Sequence, residues 1–143
     1  MKILEQDKEY NCGVFALQFL LGLYDIKCSS SDIEKISLCT EENGVSHSGI
    51  LRTIKNFNFD YTAFSESDIS TLESFLPAII NYQYDGDGHY SVVIGRGHGF
   101  FILYNPAIGE IEKISDKNFK DNWYSNRYGK GWFVQIVNPE LNG

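Results

Sequence analysis

Between Cys12 and Tyr24 the chain places Val14, Phe15, Leu17, Phe19, Leu20, Leu21 and Leu23, so apolar residues cover nearly every side of a helix. Such a helix has no polar stripe to turn toward water and must be enclosed by other elements. The rest of the chain therefore has to wrap a buried central helix. The entry to this helix also carries chemistry. It reads Gln6-Asp7-Lys8-Glu9-Tyr10-Asn11-Cys12-Gly13, so a thiol stands in the first helical turn. There the positive end of the helix dipole favours thiolate. A glutamine one short loop upstream can bring a side-chain N–H donor beside that sulfur. This is half of a cysteine-nucleophile site, and the other half requires a histidine with an orienting amide or carboxylate.

The cover for such a helix is available. At 143 residues the chain is expected to be a single domain spanning 1–143, long enough to bury a sizeable core. Ser31-Asp32-Ile33-Glu34 has capping-box spacing and predicts a short helix through Leu38. A further helix is expected from Ser48, with Ile50, Leu51, Ile54 and Phe57 on one face, and another over 67–74, closed by Pro77. Alternation predicts a strand over 59–64. Later strands are expected over 78–82, 89–95, 100–104, 110–114 and 132–137, with a helix over 115–123 before the last. Gly97-His98-Gly99 reads as a hairpin tip. Helices first and antiparallel strands after make the expected class α+β.

Charge and cysteine usage narrow the function classes. A net charge of -7 argues against nucleic-acid or anionic-membrane binding. No apolar run approaches the roughly 18–20 residues of a membrane span, so direct membrane insertion is not expected. Glu5, Asp7, Lys8 and Glu9 occupy the place of a secretory apolar core, which reads as a cytoplasmic chain. Cys12, Cys28 and Cys39 are odd in number and lack CxxC spacing, so neither a disulfide framework nor structural zinc is expected. Asp85-Gly86-Asp87-Gly88 lacks the later ligands and terminal glutamate of a calcium loop, and no metal or cofactor is expected.

His89 and Asn105 can complete the half site. His89 opens a strand whose continuation, Val92-Val93-Ile94, is apolar enough to fix the ring. His98, between two glycines, is expected at an exposed tip, and His47 in a loop facing the cleft. Each residue alone has an ordinary explanation. Cys12 can be a small core residue, His89 a turn residue, Asn105 before Pro106 turn punctuation and Gln6 a polar side chain facing water. Trp123 and Trp132 are expected mainly as core aromatics, with shielding of the Cys–His pair as the alternative.

The order Gln-x5-Cys-Gly, then His-Tyr-x-Val-Val, then Asn-Pro at the end of a following strand resembles papain-like cysteine peptidases. It resembles in particular the bacteriocin-processing peptidases of double-glycine leaders, which usually stand at the N-terminus of peptide-exporting ABC transporters. Gly44-Val45-Ser46 before a helix, Pro77-Ala78-Ile79-Ile80 before the histidine strand and Phe119 to Trp123 extend the resemblance over most of the chain. It implies a papain-like fold, with the N-terminal helical half packed on a C-terminal antiparallel sheet. It implies Cys12 as nucleophile, His89 as acid and base, Asn105 as the residue orienting the histidine, and Gln6 with the Cys12 N–H as oxyanion hole. It implies cleavage of a peptide or protein substrate after small residues such as Gly-Gly, and a peptide-export ABC transporter as a partner. The family commonly carries Asp-Pro where this chain has Asn105-Pro106, which removes a negative charge beside the imidazolium. No transporter or ATPase segment follows, so a small free-standing enzyme is expected. The same thiol chemistry also serves acyltransferases and amidases, including toxins and effectors, and a groove without catalysis would be a peptide-binding module.

Overall fold

The molecule, described by a computed structural model over residues 3–127 and 129–138, is built around the helix that the sequence leaves no way to expose. That helix, α1 (Cys12–Leu23), buries Gly13 to Leu17 and Phe19 to Leu21. Its one internal polar side chain, Gln18, donates to the Cys28 carbonyl at 3.0 Å, so the amide is not left unpaired. Helices α2 (Ser30–Ser37) and α3 (His47–Asn56) pack beside it. Both begin two residues earlier than the sequence pattern suggests. Ser29 caps α2 through the Asp32 N–H, and Ser46 caps α3 through the Gly49 N–H. Three serines around the start of α2 and two around that of α3 compete for the cap, and the one preceding the first full turn in extended backbone takes it.

Strand β1 (Asp60–Phe64) and the short α4 (Ile69–Leu72) lead into β2 (Ala78–Tyr84), β3 (Asp87–Gly97), β4 (Phe100–Asn105) and β5 (Glu110–Ser115). Helix α5 (Asp116–Tyr124) and strand β6 (Phe133–Val137) follow. The strands form one antiparallel sheet in the order β1-β6-β2-β3-β4-β5. The β2–β3 hairpin is longer than expected because only Asp85 and Gly86 form its turn. Both have positive φ, 51° and 90°, as the tight Asp-Gly hairpin turn requires. His89 consequently sits directly across from Tyr82.

Each face of the sheet is covered. One carries α1, α2 and α3 over a core that includes Tyr90, Val92 and Tyr104. The other carries α5 and α4 over Tyr82, Val93, Leu103 and Phe133. Helices and a six-stranded antiparallel sheet together make the α+β architecture expected of a papain-like fold. Strand β1, although it lies in the helical half of the sequence, joins the sheet edge beside β6. Among the described residues no helix is long and apolar enough to cross a membrane.

Candidate active site

Cys12 is the first residue of α1, and the backbone before it leaves the helix start unusually open. Asn11 occupies the N-cap position but its side chain does not cap the helix. Its Nδ2 donates instead to Asp7 at 2.7 Å and to Glu34 at 3.2 Å, and its Oδ1 accepts from the Lys8 N–H. Fully buried, Asn11 knits the Gln6–Tyr10 loop to α2 and leaves first-turn N–H groups free of a side-chain cap. Gly13 permits this approach. A Cβ there would lie 2.9 Å from Val45 Cβ and 3.0 Å from the Tyr90 ring.

The Cys12 thiol lies against β3. Burial pushes its pKa up, against the pull of the backbone N–H groups of Tyr90, Gly13 and Cys12 itself. This corrects the expectation that the helix terminus alone would favour thiolate. The sulfur loses more in hydration than the helix start returns, so ionisation needs a cationic partner.

His89 and Asn105 are both buried and joined by a 2.8 Å hydrogen bond between Nε2 and Oδ1. The direction of this bond follows from its neighbours. The Ala107 N–H donates to Asn105 Oδ1 at 3.0 Å, which identifies that atom as the oxygen, and Nδ2 donates to Glu112 at 3.1 Å. An amide oxygen only accepts, so Nε2 carries the proton and Nδ1 is the basic nitrogen of the neutral ring. Burial lowers the His89 pKa, and the Asn105 bond raises it in part. Tyr84 stacks on the ring with centroids 4.7 Å apart.

Cys12, His89 and Gln6 line a common cleft of about 510 Å³, bounded by the N-terminal loop and the β2–β3 hairpin. On its other side Cys12 borders a groove of about 720 Å³ walled by Gly44 to Ser48, Asn81 and Tyr90. The Gln6 backbone N–H is anchored on the Pro106 carbonyl at 2.8 Å. Its side chain points differently. Nε2 donates to the Lys8 carbonyl at 2.7 Å, and Oε1 is buried without a partner. Its N–H donors are thus engaged by carbonyls of its own loop.

The other histidines separate cleanly. His98 is exposed on the β3–β4 turn, while His47 is half-buried in the groove wall, stacked on Trp132 with centroids 4.0 Å apart. Trp132 thus faces His47 and Tyr90, whereas Trp123 lies in the core behind the sheet and donates to the Trp132 carbonyl. The aromatic stacked on His89 is Tyr84, which sequence reasoning missed. Its position across the hairpin, two residues beyond Tyr82, was the available signal. Glu112 was missed as well, since nothing in its local pattern marks a contact with Asn105. Among the described residues there is no cluster of three or more His, Cys, Asp or Glu side chains able to hold a metal ion.

Comparison with known proteins bears on the fold and the family. Solved structures sharing the fold include the peptidase domain of Streptococcus ComA, a bi-functional ABC transporter involved in quorum sensing. It is 19% identical, with a TM-score of 0.81 over 96% of this chain and 98% of that one. A double-glycine-motif protease from an AMS/PCAT transporter, solved with its leader peptide, matches at 17% identity and TM-score 0.79, covering 95% and 90% of the two chains. A C39-like peptidase from Bacillus anthracis matches at 13% identity and TM-score 0.78, covering 95% and 94%. A search of curated protein sequences gives no match. The model of the peptidase C39 family matches residues 1–127, and with that span the chain belongs to the peptidase C39 family.

Proposed function

We propose that this chain is a cysteine peptidase that hydrolyses a peptide bond through Cys12, His89 and Asn105. The observation that carries the reading is the buried His89–Asn105 pair, whose bond direction leaves Nδ1 as the proton-accepting atom in a cleft shared with Cys12. Family membership supports the class of enzyme.

In this mechanism the Cys12 proton passes to His89 Nδ1, and the sulfur attacks the scissile carbonyl carbon. The developing oxyanion is met by the Cys12 N–H and by Gln6 once its amide turns inward. Removing one such donor typically costs about a hundred- to a thousandfold in rate. The imidazolium then protonates the leaving amine, giving an acyl-enzyme and a free N-terminus. Water, deprotonated by the neutral ring, attacks the thioester and releases the acid. Asn105 keeps Nε2–H engaged throughout, so the ring stays in one orientation.

The substrate is an extended peptide lying along the groove past Tyr90 and His47. The structural likeness to a protease solved with its leader peptide supports a leader peptide cut after small residues such as Gly-Gly, with association with a peptide-export transporter. The test is to incubate the protein and Cys12→Ala with a peptide library containing double-glycine leaders and to map products by mass spectrometry. Cys12-dependent cleavage after small residues is expected. Cys12-dependent acyl transfer to an added amine without hydrolysis would favour an acyltransferase, and side-chain deamidation an amidase.

A further inference from the structure

We propose that Glu112 is a positioning residue that acts on His89 through Asn105, holding the amide in its productive direction and supplying the negative charge that asparagine lacks. The inference rests on the catalytic reading above. Its basis is a continuous line of two hydrogen bonds whose direction a third contact fixes. His89 Nε2 donates to Asn105 Oδ1 at 2.8 Å, and Asn105 Nδ2 donates to Glu112 Oε1 at 3.1 Å. The third contact, from the Ala107 N–H to the same Oδ1, prevents the amide from being read the other way round.

The fold builds this line deliberately. After Asn105 the chain turns within four residues, the Ile108 and Gly109 N–H groups both donating to the Asn105 carbonyl. The return strand pairs Asn105 with Glu110 and Leu103 with Glu112. Strand residues two apart share a face, so Glu112 is the diagonal neighbour on the face that carries Asn105. Glu110 is exposed, whereas Glu112 is half-buried and meets the fully buried Asn105 from its outer side. A neutral amide between carboxylate and imidazole transmits orientation by hydrogen bonds and stabilises the imidazolium through the carboxylate field.

Other groups around His89 also bear on its charge. Tyr82 and Tyr84 face it from β2. Asp85 and Asp87 come from the hairpin, Asp7, Lys8 and Glu9 from the N-terminal loop, and Cys12 from α1. The charged members of this set are exposed at the cleft rim, so salt screens them more than it screens Glu112.

The experiment measures Cys12 alkylation by iodoacetate against pH, at low and high salt, in the full chain with labelling resolved by residue. An anionic reagent reports the imidazolium, because its attack weakens as His89 loses its proton. Glu112→Gln is expected to shift the alkaline limb down by about half a pH unit at both salt concentrations while keeping the plateau within about twofold. Glu110→Gln, which removes the same charge from the same strand, is expected to leave the limb in place. Glu112→Ala is expected to lower the plateau by about tenfold, with recovery in Glu112→Gln. An unshifted limb in Glu112→Gln, or equal shifts in Glu112→Gln and Glu110→Gln, would overturn the proposal and leave the catalytic reading standing. If the unaltered protein and His89→Ala show the same profile, the catalytic reading fails, and the role of Glu112 fails with it.

Discussion

The 2.8 Å bond between His89 and Asn105 joins the start of β3 to the end of β4, and both partners are withdrawn from water. Asn105 has a carboxylate on its far side, so replacing it by aspartate would set two carboxylates against each other. We expect Asn105→Asp to destabilise the protein by about 1–2 kcal/mol near neutral pH. One carboxyl of that pair would have its folded pKa raised above its unfolded value. The penalty should therefore vanish at low pH and grow as pH rises through the folded pKa. Thermal unfolding across this range, with the double variant Asn105→Asp/Glu112→Gln expected to recover the loss, measures it.

The three cysteines should differ in reactivity for a reason that depends on His89. Burial and the nearby Glu34 push the Cys39 thiol up to about 11, and burial also raises Cys28. Burial raises Cys12 too, so its selectivity has to come from the imidazolium. We expect Cys12 to react with iodoacetamide near pH 6 on the order of a hundredfold faster than Cys39. His89→Ala should abolish the difference and His98→Ala should not. Peptide-resolved mass spectrometry reads all three sites at once, and uniform labelling would contradict the activated thiol.

Much of this arrangement was legible before the fold was known, and the parts that were not share a cause. The start of α5 at Ser115-Asp116 was readable, and the apolar ring around α1 required enclosure whatever the topology. Ser31 and Ser48 misled because serines at neighbouring positions satisfy the same local rule, and only the path of the preceding chain selects Ser29 and Ser46. Cys12, His89 and Asn105 each have an ordinary reading alone, and they stand out through their order along the chain, which matches a thiol site with its histidine and orienting amide. Tyr84 and Glu112 were not, because their roles exist only through strand register. A one-residue slip in the β4–β5 pairing would turn Glu112 to the opposite face. The Gln6 side chain is a further case, since its direction depends on carbonyls of its own loop.

Gly13 should be intolerant of even a methyl group. The nearest atoms to an added Cβ are Val45 Cβ and the Tyr90 ring, neither of them a flexible chain end. Gly13→Ala is expected to cost about 1–3 kcal/mol and to displace Cys12 from the Tyr90 backbone. In a Val45→Gly background, which removes the closer of the two clashes, Gly13→Ala should cost less than it does in the unaltered protein. Urea unfolding in both backgrounds, with Cys12 alkylation rates alongside, separates lost stability from lost thiol position.

His47 offers a test of the groove wall through pH. Its ring stacks on Trp132 at 4.0 Å with an interplanar angle of 10°, and burial holds its pKa below the ordinary 6.5. The folded state therefore favours the neutral ring. The stability that His47 contributes is present above its unfolded pKa and is lost as pH falls through the folded one. At about pH 7.5, His47→Ala should lose roughly 1 kcal/mol with the stack. At about pH 5 the gap between it and the unaltered protein should shrink, because only the latter has His47 to protonate. His47→Phe keeps a stacking ring without titrating, so it should match the unaltered protein at the higher pH and exceed it at the lower. His89 has the same sign of shift and remains in all three proteins, so it cancels in the differences. A difference that stays constant with pH would show that the His47 ring has the same proton affinity folded and unfolded.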